Sequence, residues 1–447
     1  MGWFTSNDYI PKIYTPEKAI SLQVKSEGSQ ETKSLTLRQF VEANCPSLLA
    51  EYRPAWWLHS GHLQTVYCVT GDFSKIDTVQ YERVLLRVAD GGTLGLDFTP
   101  LTKEKTLPDD TPIVVILHGL TGGSYESYVR SVLSIACAPK ENGGLGYRGV
   151  VVNFRGCADV PVTSPRFYSA GTTEDCATAL LYLSQKFPKA RLVGVGFSLG
   201  ANVMAKYLEE EGEMSRLASG CVLGCPWNLV KNSDHLEEGF FSRHVYSKAM
   251  ARNLVALLSK NLDDLNKAGP SAITPHLSFL LSGKSMLLRD CDEHMVRLVG
   301  GPSPPFPFQT ARAYYDWAST HKDLDKVRVP LLGINADDDP IVMDTPTDIH
   351  GEGWAAIAVT HGGGHLGWFE AGKTLGTVEK WIRKPILEWV RATAEDLVVG
   401  PSKAREVEVV DGFTREVGRI QIAYKVVGTG GTVDSSKSTA GGLLAGL

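Results

Sequence analysis

Ser198 lies in the run Arg191-Leu-Val-Gly-Val-Gly196-Phe-Ser198-Leu-Gly200-Ala-Asn-Val-Met-Ala. This reads as a β-branched strand, a turn flanked by two glycines, and the first turns of an amphipathic helix. A serine on such a bend is pushed outward, and the helix N-terminus behind it favours developing negative charge. Side chains at 196 and 200 would collide as strand and helix close, so glycine suits both positions. In a chain with 45 glycines the Gly-x-Ser-x-Gly string alone carries little weight, and the flanking elements give it meaning. A serine hydroxyl is a weak nucleophile at neutral pH, so it needs a histidine base oriented by a carboxylate.

Those partners are expected downstream, in the order carboxylate then histidine. Val329-Pro-Leu-Leu-Gly-Ile334 reads as a buried strand and leads into Asn335-Ala-Asp337-Asp338-Asp339-Pro340. Trp354-Ala-Ala-Ile-Ala-Val-Thr360 reads as another strand and leads into His361-Gly-Gly-Gly-His365-Leu-Gly-Trp368. Both polar clusters follow the carboxyl end of a strand, where open α/β sheets place ligands. His365 is the candidate base and Asp339 the candidate orienting carboxylate, with Asp338 second. Aspartates before a proline also cap turns and helices, and at least two of the three are expected to do so. His361 and His365 would suit a metal pair on a helix, but the three glycines between them disfavour one. No metal or cofactor is expected, and His361 is read as packing or hydrogen-bonding within its loop.

Ile113-Val-Val-Ile-Leu117 is an apolar run suited to a strand buried on both faces, ending in His118-Gly119-Leu120-Thr121-Gly122-Gly123-Ser124. Its glycines allow backbone N–H groups to turn toward a pocket. The candidate oxyanion hole is the amide of Leu120, helped by Thr121, with the amide of Leu199. A phosphate-binding loop is the weaker reading, because the Gly-Lys-Ser/Thr ending is missing.

These segments resemble the α/β-hydrolase superfamily and, within it, the YheT-like branch of esterases and acyltransferases. Trp57-Leu-His-Ser-Gly61-His62-Leu63-Gln64-Thr65 is similar to that branch's Gly-His-Leu-Gln-Thr signature. Asp90-Gly-Gly-Thr-Leu-Gly-Leu-Asp97-Phe98 resembles its early hairpin. Asn153-Phe-Arg155-Gly156-Cys157, with Tyr168 and Gly171-Thr-Thr-Glu174-Asp175, resembles its segment after the fourth strand. The resemblance spans about residues 50 to 395. It implies a mostly parallel sheet flanked by helices, and esterase, lipase or ester-forming acyltransferase activity with Ser198, Asp339 and His365 at the triad positions. Several animal relatives carry an N-terminal membrane anchor with no counterpart here, and nothing in the resemblance covers residues 400–447.

The length of 447 residues suits one enlarged α/β domain with a large core. A formal net charge of −5 and the lack of a basic stripe give no electrostatic case for nucleic acid. Eight cysteines without CxxC pairs suggest reduced thiols in the cytoplasm, with Cys157, Cys221 and Cys225 as small core hydrophobes. No stretch reaches the roughly 18–20 apolar residues of a transmembrane helix, and the first residues lack a secretory pattern. The expected location is intracellular, either cytoplasmic or peripheral on membranes or lipid droplets. Gly2 with Ser6 fits the loose myristoylation pattern, against which Trp3, Phe4 and Asp8 count.

Residues 1–75 read as an extension packing on the core, 76–227 and 323–398 as the two halves of the α/β core, and 228–322 as a helical cap. Helical periodicity is expected in Ser242 to Leu262, Ser285 to Val299, Thr310 to Ala318 and near 372–396. Phe240, Phe241, Met250, Leu257 and Leu258 are candidate acyl-pocket residues, although each also suits a cap core. In 399–447, Ile420 to Val427 suits an added strand, and the Gly/Ser-rich segment from Gly428 reads as mobile. His59 and His62 are read as structural. The expected function is hydrolysis of short- to medium-chain acyl esters through an acyl-serine. Two alternatives remain: an alcohol acyltransferase using the same groups, and a catalytically silent scaffold. No histidine begins a His-x4-Asp string, which tilts toward hydrolysis.

Overall fold

Apolar runs with no polar alternation become the central strands, because a parallel sheet is covered on both faces. The computed structural model describes residues 9–25, 31–350, 352–374, 376–400 and 403–435. Its main sheet contains β1 (Lys12–Tyr14), β2 (Gln80–Val88), β3 (Thr93–Thr99), β4 (Ile113–Leu117), β5 (Arg148–Asn153) and β6 (Leu192–Phe197). It continues with β7 (Ser219–Leu223), β8 (Leu331–Ala336), β9 (Ala355–Thr360), β10 (Val407–Val410), β11 (Phe413–Glu416) and β12 (Arg419–Asp434). The spatial order is β1-β9-β8-β7-β6-β4-β5-β3-β2-β12-β11-β10. From β5 through β4, β6, β7, β8 to β9 every pairing is parallel, while the β2–β3 hairpin joins antiparallel through β3 to β5. Every residue of β4, β6 and β7 is buried.

The N-terminal segment closes one edge of the sheet, with β1 antiparallel to β9. It then supplies a helix, Gly61–Thr70, to the site described below. Between β7 and β8 the chain passes through helices that include Leu229–Glu238, Lys248–Lys260 and Ala311–Ala318. A further helical run covers Leu288–Cys291, Asp292–Val296 and Arg297–Val299, with a widened π turn in its middle. Their apolar faces share a core that includes Leu254, Leu258, Met295 and Tyr314.

Two expectations need correction. The helical reading near 372–396 is too early: Phe369–Ala371 and Val378–Lys380 form a small antiparallel hairpin, and the helix starts at Arg383. The segment from Gly428 is not loose as far as Asp434. It completes the 16-residue β12, which pairs antiparallel with β2 from Tyr424↔Val88 to Asp434↔Gln80. The glycines read as flexible serve instead as bulge positions, with register shifts at Val426/Gly428 and Thr429/Gly431 and a positive φ of 76° at Gly431. A buried Arg216–Glu416 ion pair ties this extension to the core. The myristoylation pattern lies outside the described residues.

Candidate active site

Ser198 sits between β6 and the helix Leu199–Glu211, at the helix N-cap position, with φ 51° and ψ −118°, a strained backbone for a non-glycine residue. Its N–H donates to the Leu223 carbonyl at 2.9 Å, which pins the bend to β7. The two flanking glycines are required by close approach. A Cβ on Gly196 would lie 2.7 Å from Ala201 Cα and the Gly200 carbonyl, and one on Gly200 would lie 2.5 Å from the carbonyl oxygens of Leu117 and His118.

The Ser198 Oγ is 2.8 Å from His365 Nε2, and His365 Nδ1 is 2.8 Å from Asp339 Oδ2. His365 is fully buried, Asp339 is 3% exposed and Ser198 is 8% exposed. A carboxylate only accepts, so Nδ1 carries the proton toward Asp339 and Nε2 is left to accept from the serine hydroxyl. The second Asp339 oxygen accepts from the N–H groups of Ile341 (2.8 Å) and Val342 (2.9 Å), which fixes the carboxylate. The other two aspartates act as turn anchors. Asp337 accepts from Gly362 N–H and contacts His361 Nδ1 at 2.8 Å, whereas Asp338 accepts from Gly364 N–H at 2.9 Å. The structure therefore brings Asp339, not Asp338, to His365.

The helix Gly61–Thr70 is the support that its sequence signature did not explain. Thr65 Oγ1 accepts from the His365 N–H at 2.8 Å and donates to the Gly61 carbonyl at 2.7 Å. Gln64 accepts from Phe369 N–H and donates to the carbonyls of Phe369 and Leu58. Both side chains are fully buried. The helix start and the histidine loop interlock so closely that a Cβ on Gly364 would lie 2.3 Å from the Gly61 carbonyl. His62 lies 2.9 Å from the Tyr246 hydroxyl and stacks on that ring.

The loop after β4 faces Ser198 from the other side. His118 is buried with its Nδ1 2.7 Å from the Gly119 carbonyl, and its Nε2 accepts from Phe154 N–H at 3.2 Å. Burial pushes its pKa down to about 4, so it is a neutral strut. Gly119 N–H donates to the Tyr128 hydroxyl and Ser124 N–H to Asn153 Oδ1, while Ser124 Oγ donates to Asp97. Thr121 departs from expectation: its N–H donates to the Tyr168 hydroxyl at 3.1 Å, so it is not available to a ligand. Among the described residues neither the Leu120 nor the Leu199 amide has an acceptor, and both residues border the pocket over Ser198.

That pocket holds about 890 Å³ of free space, its mouth included, between the sheet and the cap. Met250 and Leu257 line it with Leu236, Leu254 and Met295. Phe240 and Phe241 do not: they point outward, 79% and 49% exposed. Leu258 is fully buried in the cap core instead. All eight cysteines are buried and unpaired. Among the described residues no helix is long and apolar enough to cross a membrane.

Comparison with known proteins agrees with this architecture. Residues 112–247 match the family described as alpha/beta hydrolase fold. Embryogenesis-associated protein EMB8 of Picea glauca is 31% identical over 359 residues, covering 78% of this chain and 74% of that protein. Monoacylglycerol lipase of Saccharomyces cerevisiae is 28% identical over 425 residues, covering 86% of this chain and 90% of its own. Medium-chain fatty acid ethyl ester synthase/esterase 2 of the same yeast is 28% identical over 445 residues, covering 86% and 94%. With the elbow at Ser198, the parallel sheet and these relatives in view, the chain belongs to the α/β-hydrolase family, in the YheT-like branch to which its ordered motifs point.

Proposed function

We propose that the chain is a serine carboxylic-ester hydrolase acting on short- to medium-chain acyl esters. The observation that carries this reading is the unbroken hydrogen-bond line from Ser198 Oγ through His365 to Asp339, at 2.8 Å per link, beneath an apolar pocket. His365 Nε2 takes the Ser198 proton as Oγ bonds to the ester carbonyl carbon. The oxyanion forms against the Leu120 and Leu199 amides, at the N-terminus of the helix Leu199–Glu211. Collapse breaks the bond to the alcohol oxygen, which leaves with the proton from His365. Water then repeats the sequence on the acyl-serine, releasing the acid and restoring Ser198. Asp339 stabilises the imidazolium at each stage. The relatives named as a monoacylglycerol lipase and an ethyl ester synthase/esterase support acyl esters of small alcohols as the substrate class.

A second reading rests on the ester-synthase relative and the largely apolar lining of the pocket. An alcohol that reaches the acyl-serine ahead of water would yield an ester with the same groups. Phe240 and Phe241, exposed on the cap, favour contact with a lipid surface. A silent scaffold draws no support from a site in which every group is within hydrogen-bonding reach. Steady-state hydrolysis of p-nitrophenyl esters from acetyl to palmitoyl, with and without ethanol, tests these readings together. The proposal expects turnover with an optimum below palmitoyl. Ethyl ester formed at the expense of acid would favour transfer, and no turnover of any ester would overturn the hydrolase reading.

A further inference from the structure

The pocket over Ser198 is lined mostly by apolar side chains, and of its other polar ones Ser169 is already paired with the Thr172 hydroxyl, which leaves Asn232, Ser233 and Asp292. The helix Leu229–Glu238 turns Leu229, Asn232, Ser233 and Leu236 toward it, so its lining stripe is polar in the middle and apolar at both ends. Asn232 is 4% exposed, and its Oδ1 accepts from the Met343 N–H at 2.7 Å. That bond fixes which end of the amide is nitrogen, and the buried Nδ2 has no hydrogen-bond partner among the described residues. Asp292 also lines the pocket, from the π turn Asp292–Val296. Its Oδ2 accepts from the Tyr315 hydroxyl at 2.5 Å, and no donor among the described residues reaches its other oxygen. The Ser233 hydroxyl is already engaged by the Arg289 guanidinium.

An amide donor and a carboxyl acceptor left unpartnered in a mostly apolar pocket are a poor lining for a hydrocarbon chain. Together they complement a group that both accepts and donates. We propose that Asn232 and Asp292 form a hydroxyl-recognition subsite, selecting esters that carry a free hydroxyl besides the scissile carbonyl; this rests on the ester-hydrolase reading above. The substrate hydroxyl accepts from Asn232 Nδ2 and donates to the open oxygen of Asp292. Burial raises the Asp292 carboxyl to about 7, so near neutrality it accepts such a bond and, when protonated, can also donate one. The π turn supports the assignment, since such widened turns commonly reposition a side chain toward a ligand.

The hydroxyl can belong to the alcohol half or to the acyl chain, and two substrate pairs separate these sources. Glycerol monodecanoate is compared with propyl decanoate, and ethyl hydroxydecanoates (mid-chain and terminal) with ethyl decanoate. In one pair the wild-type enzyme is expected to favour the hydroxyl-bearing ester by roughly tenfold or more in kcat/KM, the scale set by a lost hydrogen bond to a buried polar group. Asn232→Leu and, separately, Asp292→Leu are expected to bring that ratio close to one. A ratio cancels any general loss of activity, and the wild-type comparison stands even where a variant fails to fold. Equal kcat/KM within both pairs would overturn the subsite alone and assign the open groups to an ordered water. A preference that persists in both variants would also overturn it. Failure to hydrolyse any of these esters would overturn the subsite and the hydrolase reading together.

Discussion

Asp339 and Asp338 are adjacent carboxylates with different work, and a paired amide substitution separates them. In Asp339→Asn the side-chain oxygen stays where it accepts from the Ile341 and Val342 N–H groups, because turning the amide over would set an NH2 against two donors. The new NH2 then faces His365 Nδ1, 2.8 Å away in the native protein, which forces Nδ1 to accept and moves the imidazole proton to Nε2. An Nε2–H cannot accept the Ser198 proton, so the nucleophile loses its base while the geometry survives. The equivalent swap in a Ser-His-Asp template costs about ten-thousand-fold in kcat, or about 5 kcal/mol of transition-state stabilisation. The same order is expected here. Asp338→Asn keeps an oxygen to accept from Gly364 N–H and never touches the imidazole, so its loss should stay within about tenfold, the cost of one weakened loop bond. The assay is kcat on a p-nitrophenyl ester for both variants, with thermal melting as a fold control. Equal losses in the two variants, or a larger one at 338, would refute the assignment.

Three further outcomes follow from named contacts. Thr65→Val keeps the shape but leaves the His365 N–H without its acceptor, so it should cost about 1–3 kcal/mol in stability and lower kcat roughly tenfold, read by melting and steady-state kinetics. Gly200→Ala drives a Cβ to 2.5 Å from the carbonyl oxygens of Leu117 and His118, just ahead of Leu120. Overpacking of about 1–3 kcal/mol and a hundredfold or larger fall in kcat are expected from the displaced amide, with KM changing less. Asp292 faces Tyr315, Glu237, Arg289 and Glu293, and burial raises its pKa from 3.8 to about 7. The unfolded chain releases this proton first as pH rises, so stability should fall between about pH 4 and pH 7 and level off above, by at most about 4 kcal/mol. Asp292→Asn should flatten that fall in urea melts taken at pH 5 and pH 8; an unchanged slope would count against a native-state proton on Asp292.

The candidate site is more legible than its scaffolding. Ser198, Asp339 and His365, which the structure brings within hydrogen-bonding reach, each follow a strand that reads plainly as buried, and strand ends place residues predictably. The supports did not, because their partners are distant in sequence: Thr65 holds His365 across 300 residues and Gln64 holds Phe369 across 305. The motif containing them was recognisable, but no local pattern says which loop a threonine hydroxyl will meet. Thr121 departs from expectation for the same reason, since its amide is taken by Tyr168, 47 residues away. Phe240 and Phe241 depart from expectation because hydrophobicity alone does not tell a pocket wall from an exposed cap face. The glycines of β12 looked like a flexible tail because composition does not reveal that β2 offers them an edge to pair with.

Whether Ser198 carries the acyl group is read most directly by intact-protein and peptide mass after reaction with a fluorophosphonate, alongside pre-steady-state release of p-nitrophenol from a medium-chain ester. The expected result is one phosphonyl adduct on the peptide containing Ser198 and a burst near one equivalent per active enzyme, both absent in Ser198→Ala. An adduct at another residue, or a burst that survives in Ser198→Ala, would contradict the assignment of the nucleophile.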